Sequence, residues 1–284
     1  MSSRDRPPKE DREFITSLAR GLSVIHAFDS DHPQLTLSEV GARTKLSPAT
    51  ARRCLWTLER LGYVGTRGRY FLLLPKVVSL GSAFLESARI EEIIQPILRD
   101  IVAEVGDSAS LGVLEGDDVL YIANFSAKRL VRLTAGVGTR FPAYVVSMGR
   151  VLLAELSPQA LDAYLQRAQF TKRTSATVTD PEVLRARIEE VRKLGYSAML
   201  DELEEGLGAV AVPVRVRGRV VASLNCSAFS RSTDVSEMVA ARLQALESAA
   251  QRVAEAIQHL PAIWPMLGRP LELSGSEPGA AEEA

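Results

Sequence analysis

Cysteine and histidine are scarce in this chain of 284 residues. It has two cysteines, Cys54 and Cys226, and three histidines, His26, His32 and His259. The two cysteines fall in different predicted domains, so we expect no disulfide, and they are too few for a cysteine-based metal site. We therefore expect the protein to work without a metal or a cofactor.

Long apolar runs are also absent. No stretch approaches the roughly 20 apolar residues that a membrane-spanning helix needs. Residues 1–13 are polar and charged and lack the apolar core of a secretory signal. These features predict a soluble, cytoplasmic protein that does not act at a membrane.

The common catalytic motifs are missing as well. The sequence contains no G-x-S-x-G, P-loop or HExxH motif and no zinc-deaminase signature. Each histidine lies away from any nucleophile motif, and Cys226 is expected to be a buried structural thiol. We therefore predict that the protein is not an enzyme. Catalysis by groups that only folding brings together stays open as an alternative.

What the chain does have is apolar material for two cores. Its length predicts about two domains, and a hydrophobic content of 46% is ample to pack both. The strongest local signal lies between residues 36 and 71. There, residues 47–62 predict a helix that begins with Ser47 as its N-cap and Pro48 at the first helical position.

This predicted helix has two faces. One is an apolar stripe, made of Ala51, Leu55, Leu58 and Leu61. The other is polar, made of Thr50, Arg53, Thr57 and Arg60. Arginine can bind guanine with two hydrogen bonds, and threonine can contact a base edge or a thymine methyl group. The polar face therefore suits the major groove of DNA.

The neighbouring segments complete a winged helix-turn-helix. A shorter helix is predicted at 37–46, and a short turn joins it to the helix at 47–62. Strand-like runs at 63–64 and 70–72 flank a turn that carries Arg67 and Arg69. From Gly41 to Pro75 there are seven Lys or Arg residues and one acid, Glu59, although the whole chain has a net charge of -1. This local excess of positive charge predicts nucleic-acid binding.

The remainder of the chain predicts an α+β domain with an antiparallel sheet and packed helices. Amphipathic helices are predicted at 76–88 and 90–105, where Pro96 predicts a kink or a new helix start. From residue 108 the apolar period changes to two. Strands are predicted at 108–114, 119–123, 130–133, 196–200, 209–216 and 220–228. Helices are predicted at 147–156, 158–168, 181–194 and 236–259.

In this order of parts the chain resembles the isocitrate lyase regulator (IclR) family of bacterial transcription factors, from about residue 14 to 260. Seven short segments look like the branch that regulates protocatechuate and 4-hydroxybenzoate catabolism (the PcaR, PcaU and PobR types). They are SLARGL at 17–22, RRCL at 52–55, LLPKV at 73–77, LEGDD at 114–118, PAY at 142–144, SMGR at 147–150 and EGL at 205–207.

The resemblance implies a winged helix-turn-helix, a linker helix and a GAF-like effector-binding domain. The expected division is a disordered N-terminus at 1–13, a DNA-binding domain at 14–75, a linker helix at 76–89, an effector domain at 90–262 and a flexible tail at 263–284. The implied function is a DNA-binding transcriptional regulator controlled by a small carboxylate, from aromatic-acid catabolism. Two alternatives stay open: an unrelated organic-acid effector, and a winged helix that binds protein.

The resemblance also places an effector site between the sheet and the helices of the second domain. The candidate residues are Phe141, Tyr144, Ser147, Met148, Met199, Asp201, Ala209, Asn225 and Ser227. Ser147 is expected to begin a helix whose N–H groups hold a carboxylate. Met199, Ala209 and Asn225 differ from the glyoxylate-sensing members, which implies a larger, less polar ligand. Alternatively, the methionines fill the core, and Asn225 and Ser227 face solvent.

We expect the protein to bind DNA as a homodimer, in which each subunit reads half of a pseudo-palindromic operator. The resemblance also allows two dimers to pair into a tetramer, as is often the case in the family. Thr50, Arg52, Arg53 and Thr57 are expected to read the operator, and Ser47, at the start of the helix, is also expected to bind DNA. Arg60, Arg67 and Arg69 are expected to bind phosphates.

Overall fold

The computed structural model describes residues 14–29, 31–87, 89–127, 135–229 and 234–259. Within these ranges no helix is long and apolar enough to cross a membrane. The chain divides into two compact units, Met1–Ala83 and Phe84–Ala284. The ends expected to be disordered and the strand expected at 130–133 lie outside the described residues.

The first unit is a winged helix-turn-helix, as predicted. Its helices are α1 (Thr16–Ile25), α2 (Leu37–Thr44) and α3 (Pro48–Arg60), and its strands are β1 (Gln34–Thr36), β2 (Val64–Arg67) and β3 (Tyr70–Leu73). The strands pair antiparallel in the order β1-β3-β2. Strand β1 was not predicted, because three residues are too few to show a period.

Local hydrogen bonds fix the helix-turn-helix. Thr36 and Glu39 form a capping box at the start of α2, in which the Glu39 carboxylate accepts the Thr36 N–H at 2.7 Å. Lys45 takes a left-handed conformation with φ of 56°, so α2 ends at Thr44 rather than at residue 46. The Ser47 hydroxyl then accepts the Thr50 N–H at 3.3 Å and starts α3. Ser47 is therefore the N-cap that the sequence predicted.

The linker segment begins with a tight turn. A 3₁₀ helix spans Pro75–Val78, and α4 (Ser79–Ser87) follows it directly. In the second unit, α5 (Ile90–Val105) runs through Pro96 as one helix, so the new helix start that this proline allowed is not found.

The second unit contains a six-stranded antiparallel sheet in the order β6-β5-β4-β9-β8-β7. Its strands are β4 (Ser108–Glu115), β5 (Asp118–Ser126), β6 (Arg140–Pro142), β7 (Ser197–Leu200), β8 (Leu207–Val216) and β9 (Arg219–Phe229). The remaining helices are a 3₁₀ turn (Ala143–Val145), α6 (Ser147–Ala154), α7 (Pro158–Arg167), α8 (Pro181–Leu194) and α9 (Val235–Gln258).

Helices cover both faces of this sheet. On one face, α5 and α9 bury Leu98 and Leu246 against Val212 and Val214. On the other face, α6, α7 and α8 form a second core with Leu152 among its buried residues. The predicted α+β class is confirmed, and the sheet between the two cores supplies the floor of the cavity described below.

Candidate functional site

Helix α3 presents a charged face to solvent. Ala51, Leu55 and Leu58 are buried against the rest of the unit, whereas Arg52, Arg53, Thr57 and Arg60 are exposed. Because a helix turns by about 100° per residue, the basic side chains lie on the side opposite the apolar stripe. The sequence pattern anticipated this division except at Leu61, which was expected in the apolar stripe but is the C-cap of the helix and 51% exposed.

The two threonines of α3 are less available than the arginines. The Thr50 hydroxyl lies 2.9 Å from the Ser47 hydroxyl, and the Thr57 hydroxyl donates to the Arg53 carbonyl at 2.9 Å. Thr50, Arg53 and Thr57 also line a groove beside the apolar side chains of α1, with a volume of about 550 Å³. This flank of α3 therefore faces α1 as well as solvent.

A side-chain hydrogen bond joins the hairpin of β2 and β3 to α3. The Thr66 hydroxyl donates to the Glu59 carboxylate at 2.5 Å, which joins the wing to the last turn of the helix. Gly68 has a φ of 62° at the hairpin tip, which places it in the left-handed region that glycine adopts without strain. The exposed Arg67 and Arg69 flank it. The Arg69 guanidinium lies 5.2 Å from the Tyr70 ring and donates to its hydroxyl at 3.0 Å.

Trp56 is the residue of this surface that sequence reasoning did not assign. Its side chain is 57% exposed, and the Arg60 guanidinium carbon lies 5.0 Å from the centre of its ring. An outward-facing tryptophan among arginines could have been recognised from its place between Arg53 and Arg60.

In the second unit, a cavity of about 600 Å³ lies over the sheet at the start of α6. Five of the nine predicted effector residues line it: Ser147, Met199, Ala209, Asn225 and Ser227. Asn225 is 5% exposed, so it does not face bulk solvent, and Ser227 lies beside the same cavity. Met199 contributes an apolar wall.

The other four predicted residues do not line the cavity. Phe141 packs edge-on against Tyr121, with ring centres 5.3 Å apart, and therefore lies behind the wall that Tyr121 forms. The Tyr144 hydroxyl donates to the Thr171 carbonyl and accepts its N–H, both at 2.8 Å. Their membership of the site was predicted from position in sequence, which cannot separate a wall from the layer behind it.

Met148 and Asp201 are also placed elsewhere. Met148 is fully buried in the second core, where its thioether packs close to Gly112. Asp201 has a left-handed backbone with φ of 64°, and its carboxylate accepts the Gly206 N–H at 2.5 Å. Met148 is therefore a core residue, and Asp201 closes the turn that follows β7.

Polar side chains from three strands form the floor of the cavity. Ser108 and Ser227 are register partners whose hydroxyl oxygens lie 2.8 Å apart. The Asn124 amide donates to the Ser110 hydroxyl at 2.9 Å, and Ser110 is in register with Asn225. Ser108, Ser110 and Asn124 were not predicted. Ser108 and Ser110 are two residues apart in β4, which places them on one face of the strand. Only the register shows that this face lies beside Asn225 and Ser227.

Two polar atoms at this cavity are buried without a hydrogen-bond partner among the described residues: the Ser147 hydroxyl and the Asn225 Oδ1. Ser147 stands at the start of α6, whose N-cap residue, Val146, provides no side-chain hydrogen bond. Burial raises the pKa of Tyr121, another lining residue, which keeps its phenol neutral. The cavity therefore offers neutral polar groups and apolar walls, and its lining also includes two acids, Asp107 and Glu202.

One buried ion pair borders the cavity. The Arg150 guanidinium donates to the Glu202 carboxylate at 2.6 Å, with the two side chains 4% and 11% exposed. Burial lowers the pKa of Arg150, and the neighbouring Glu202 charge opposes that shift. Glu202 also accepts the Val178 N–H at 3.3 Å. These contacts join α6 to the segments before α8 and after β7.

Both parts of the chain match models of one protein family. Residues 17–68 match the IclR helix-turn-helix domain, and residues 82–258 match the domain described as "Bacterial transcriptional regulator IclR C-terminal". The chain belongs to the IclR family. It is accordingly a DNA-binding transcriptional regulator, and the expectation that it is not an enzyme is confirmed.

Similar IclR-family proteins are known. The Pca regulon regulatory protein of Pseudomonas putida is 46% identical over 219 residues, which cover 76% of this chain and 75% of that protein. The p-hydroxybenzoate hydroxylase transcriptional activator of Acinetobacter baylyi is 32% identical, over 75% of this chain and 81% of its own length. An IclR homolog from Microbacterium hydrocarbonoxydans, crystallised with 4-hydroxybenzoate, has a TM-score of 0.69 at 26% identity. That match covers 84% of this chain and 98% of the other.

Proposed function

We propose that this IclR-family regulator is controlled by a hydroxylated aromatic carboxylate bound in the cavity at the start of α6. The observation that carries the proposal is the pair of unpartnered polar atoms, Ser147 Oγ and Asn225 Oδ1, buried in the wall of one cavity. A buried polar group without a partner costs free energy, and a ligand that supplies the partner recovers it.

The carboxylate of the ligand would bind at α6. The first N–H groups of a helix have no acceptor within the helix, and the helix dipole favours negative charge there. The Ser147 hydroxyl adds one more donor at the same end. The described residues that line the cavity include no Lys, Arg or His but do include two acids, Asp107 and Glu202, of which Glu202 is paired with Arg150. Neutral donors of α6 would therefore hold the anion.

A ligand hydroxyl would bind at Asn225. The carboxamide oxygen accepts hydrogen bonds and its nitrogen donates them, so a group that both donates and accepts satisfies this side chain in either amide orientation. A ring hydroxyl meets that requirement, and an unsubstituted ring does not. Tyr121, Met199 and Phe229 supply walls for the ring itself.

The relatives support the same class of ligand. One similar structure is a complex with 4-hydroxybenzoate, and the Pseudomonas putida relative regulates the Pca regulon. A cavity of about 600 Å³ has room for a single-ring acid together with water. The unrelated organic-acid alternative has no comparable support.

On the DNA side, we infer a homodimer that binds a pseudo-palindromic operator in the cytoplasm. The support is the exposed basic face of α3 and the two wing arginines. Arg52 and Arg53 would contact bases, with smaller roles for Ser47, Thr50 and Thr57, whose hydroxyls already have partners. Arg67 and Arg69 would bind phosphates, as the sequence also predicts for Arg60. Effector binding would act through the linker segment 76–89.

Calorimetry with a ligand series tests the effector proposal. The wild-type protein should bind 4-hydroxybenzoate about tenfold more tightly than benzoate, because benzoate leaves the Asn225 amide unpaired. Asn225→Leu should remove that preference, and Ser147→Ala should weaken both acids alike. Ser236→Ala, an exposed serine of α9, is the control.

Protocatechuate and 3-oxoadipate complete the series. Protocatechuate keeps the ring hydroxyl and should bind, whereas 3-oxoadipate has no ring. Binding of 3-oxoadipate alone would contradict the aromatic assignment, and equal affinities for 4-hydroxybenzoate and benzoate would contradict the role of Asn225. Neither result would affect membership of the family.

A further inference from the structure

The most exposed aromatic side chain on the outer face of α3 is Trp56. Measured from the centre of the buried stripe, Trp56 and Arg60 lie roughly 130° and 170° round the helix, so both point away from the core. A tryptophan that is 57% exposed keeps a large apolar surface in water. Packing within the described first unit leaves that surface uncovered.

The surroundings of Trp56 favour a polyanion over an apolar protein surface. Arg52, Arg53 and Arg60 are exposed on the same side of α3. The one acid of the helix, Glu59, accepts the Thr66 hydroxyl hydrogen bond on the side that faces the wing. An apolar partner would leave the three guanidinium groups desolvated and unpaired, whereas DNA phosphates and guanine edges would pair with them.

Arg60 is already positioned by the indole. Its guanidinium carbon lies 5.0 Å from the ring centre, within the range of a cation–π contact. A guanidinium held over an aromatic face loses less conformational freedom when it binds than a free arginine does. This arrangement differs from that of Arg67, which ends β2 beside the tip of the hairpin.

We propose that Trp56 and Arg60 act together as a base-reading pair. The apolar edge of the Trp56 indole would contact a thymine methyl group in the major groove, and Arg60, stacked on the indole, would bind the neighbouring guanine instead of a phosphate. This proposal rests on the assignment of α3 as the recognition helix, and it adds a specificity residue to that helix.

Single thymine substitutions test the contact. The wild-type protein first selects a duplex from a random pool, and each thymine of that duplex is then replaced by deoxyuridine, which lacks only the methyl group. Replacement of one particular thymine in one half-site should weaken wild-type binding about fourfold, the factor expected for one buried methyl group. Trp56→Ala should bind more weakly overall and be insensitive to that same replacement, while its response at other thymines stays unchanged.

Two further variants sharpen the result. Trp56→Phe retains an apolar ring and should remain sensitive to the replaced methyl group. Arg60→Lys should lose preference at the adjacent guanine, because lysine lacks the planar pair of donors. Leu194→Ala, which truncates a side chain that is 52% exposed at the end of α8, is the control and should bind every duplex as the wild type does.

Fluorescence gives an independent readout. The chain has two tryptophans, Trp56 and Trp264, so Trp264→Phe leaves Trp56 as the only emitter. The selected duplex should quench that emission at the concentrations at which anisotropy reports binding.

Four outcomes would contradict the proposal. Unchanged emission at saturation, or a Trp56→Ala protein with the same response to each thymine replacement as the wild type, would overturn the base-reading pair while leaving DNA binding intact. A Trp56→Ala protein that loses its dimer but keeps the thymine profile would overturn it in favour of a subunit contact. Failure of the wild type to select any duplex would remove the recognition-helix assignment itself.

Discussion

Arg150 and Glu202 show how much one residue pair can matter beside a binding cavity. Their side chains are almost fully buried, and Arg150 also donates to the Tyr144 carbonyl at 3.3 Å. A guanidinium does not lose its proton in a protein, so removal of its partner leaves a charge buried. Loss of either partner would therefore leave an unpaired charge in the wall of the cavity, at a high cost in folding free energy.

Glu202→Ala should lower the free energy of unfolding by about 3–5 kcal/mol, because it leaves Arg150 charged and unpaired. Urea unfolding followed by circular dichroism measures this. Glu190→Ala, which breaks the exposed Arg187–Glu190 pair at 3.2 Å, is the matched control. The control substitution should lower the free energy of unfolding by less than about 1 kcal/mol, because the pair it breaks is exposed to solvent. Equal losses in the two variants would show that the buried pair has no special role.

At the same scale, the cavity shows where sequence reasoning stopped. Asn225 and Ser227 could be assigned to one face because residues two apart on a strand point the same way. Tyr144 and Phe141 could not be excluded, because their partners, Thr171 and Tyr121, are set by contacts distant in sequence. In the sequence, apolar side chains one layer behind a cavity follow the same pattern as apolar side chains that line it.

Among the elements, α3 was the most predictable and the short strands were the least. An N-cap serine, a proline in the first turn and an apolar stripe all specify α3 from within its own sequence. Strands β1 and β6 contain three residues each and exist because a neighbouring strand pairs with them. No local pattern can report such pairing, since the hydrogen bonds that define these strands come from elsewhere in the chain.

The contrast between α3 and the wing gives a prediction at the scale of elements. Arg53 lies on the helix, and Arg67 lies beside the hairpin tip. Arg53→Ala should reduce discrimination between the selected operator and its single-base variants by about 1–3 kcal/mol, whereas Arg67→Ala should weaken binding to all duplexes alike. Gel shifts over a set of mutated operators measure both. The assignment would be reversed if Arg67 proved to be the discriminating residue.

At the scale of the whole molecule, exposed apolar side chains of α1 and of the two residues before it bear on assembly. Phe14, Ile15, Leu18 and Leu22 are between 45% and 64% exposed, which is a large apolar area for one short segment. Contiguous apolar patches of this kind usually bind protein. We expect them to contact a second copy of the chain in the dimer proposed above.

The double variant Leu18→Glu, Leu22→Glu should therefore shift the protein toward the monomer and weaken operator binding by at least tenfold, because each monomer contacts only one half-site. Sedimentation velocity and anisotropy measure the two effects. Val183→Glu, at a position 47% exposed on α8, is the control and should leave both unchanged. A double variant that remains dimeric would contradict the contact.

The lack of a cationic side chain in the described cavity lining has a consequence for how the regulator responds to ionic strength. Attraction between exposed arginines and phosphates falls steeply as salt rises, since dissolved ions compete for the same charges. The N–H groups at the start of α6, which lie among buried side chains, are screened less. The affinity for the effector should therefore stay nearly constant while the affinity for the operator drops. In a bacterium under osmotic stress, such a regulator would still sense its metabolite while holding its promoter less firmly.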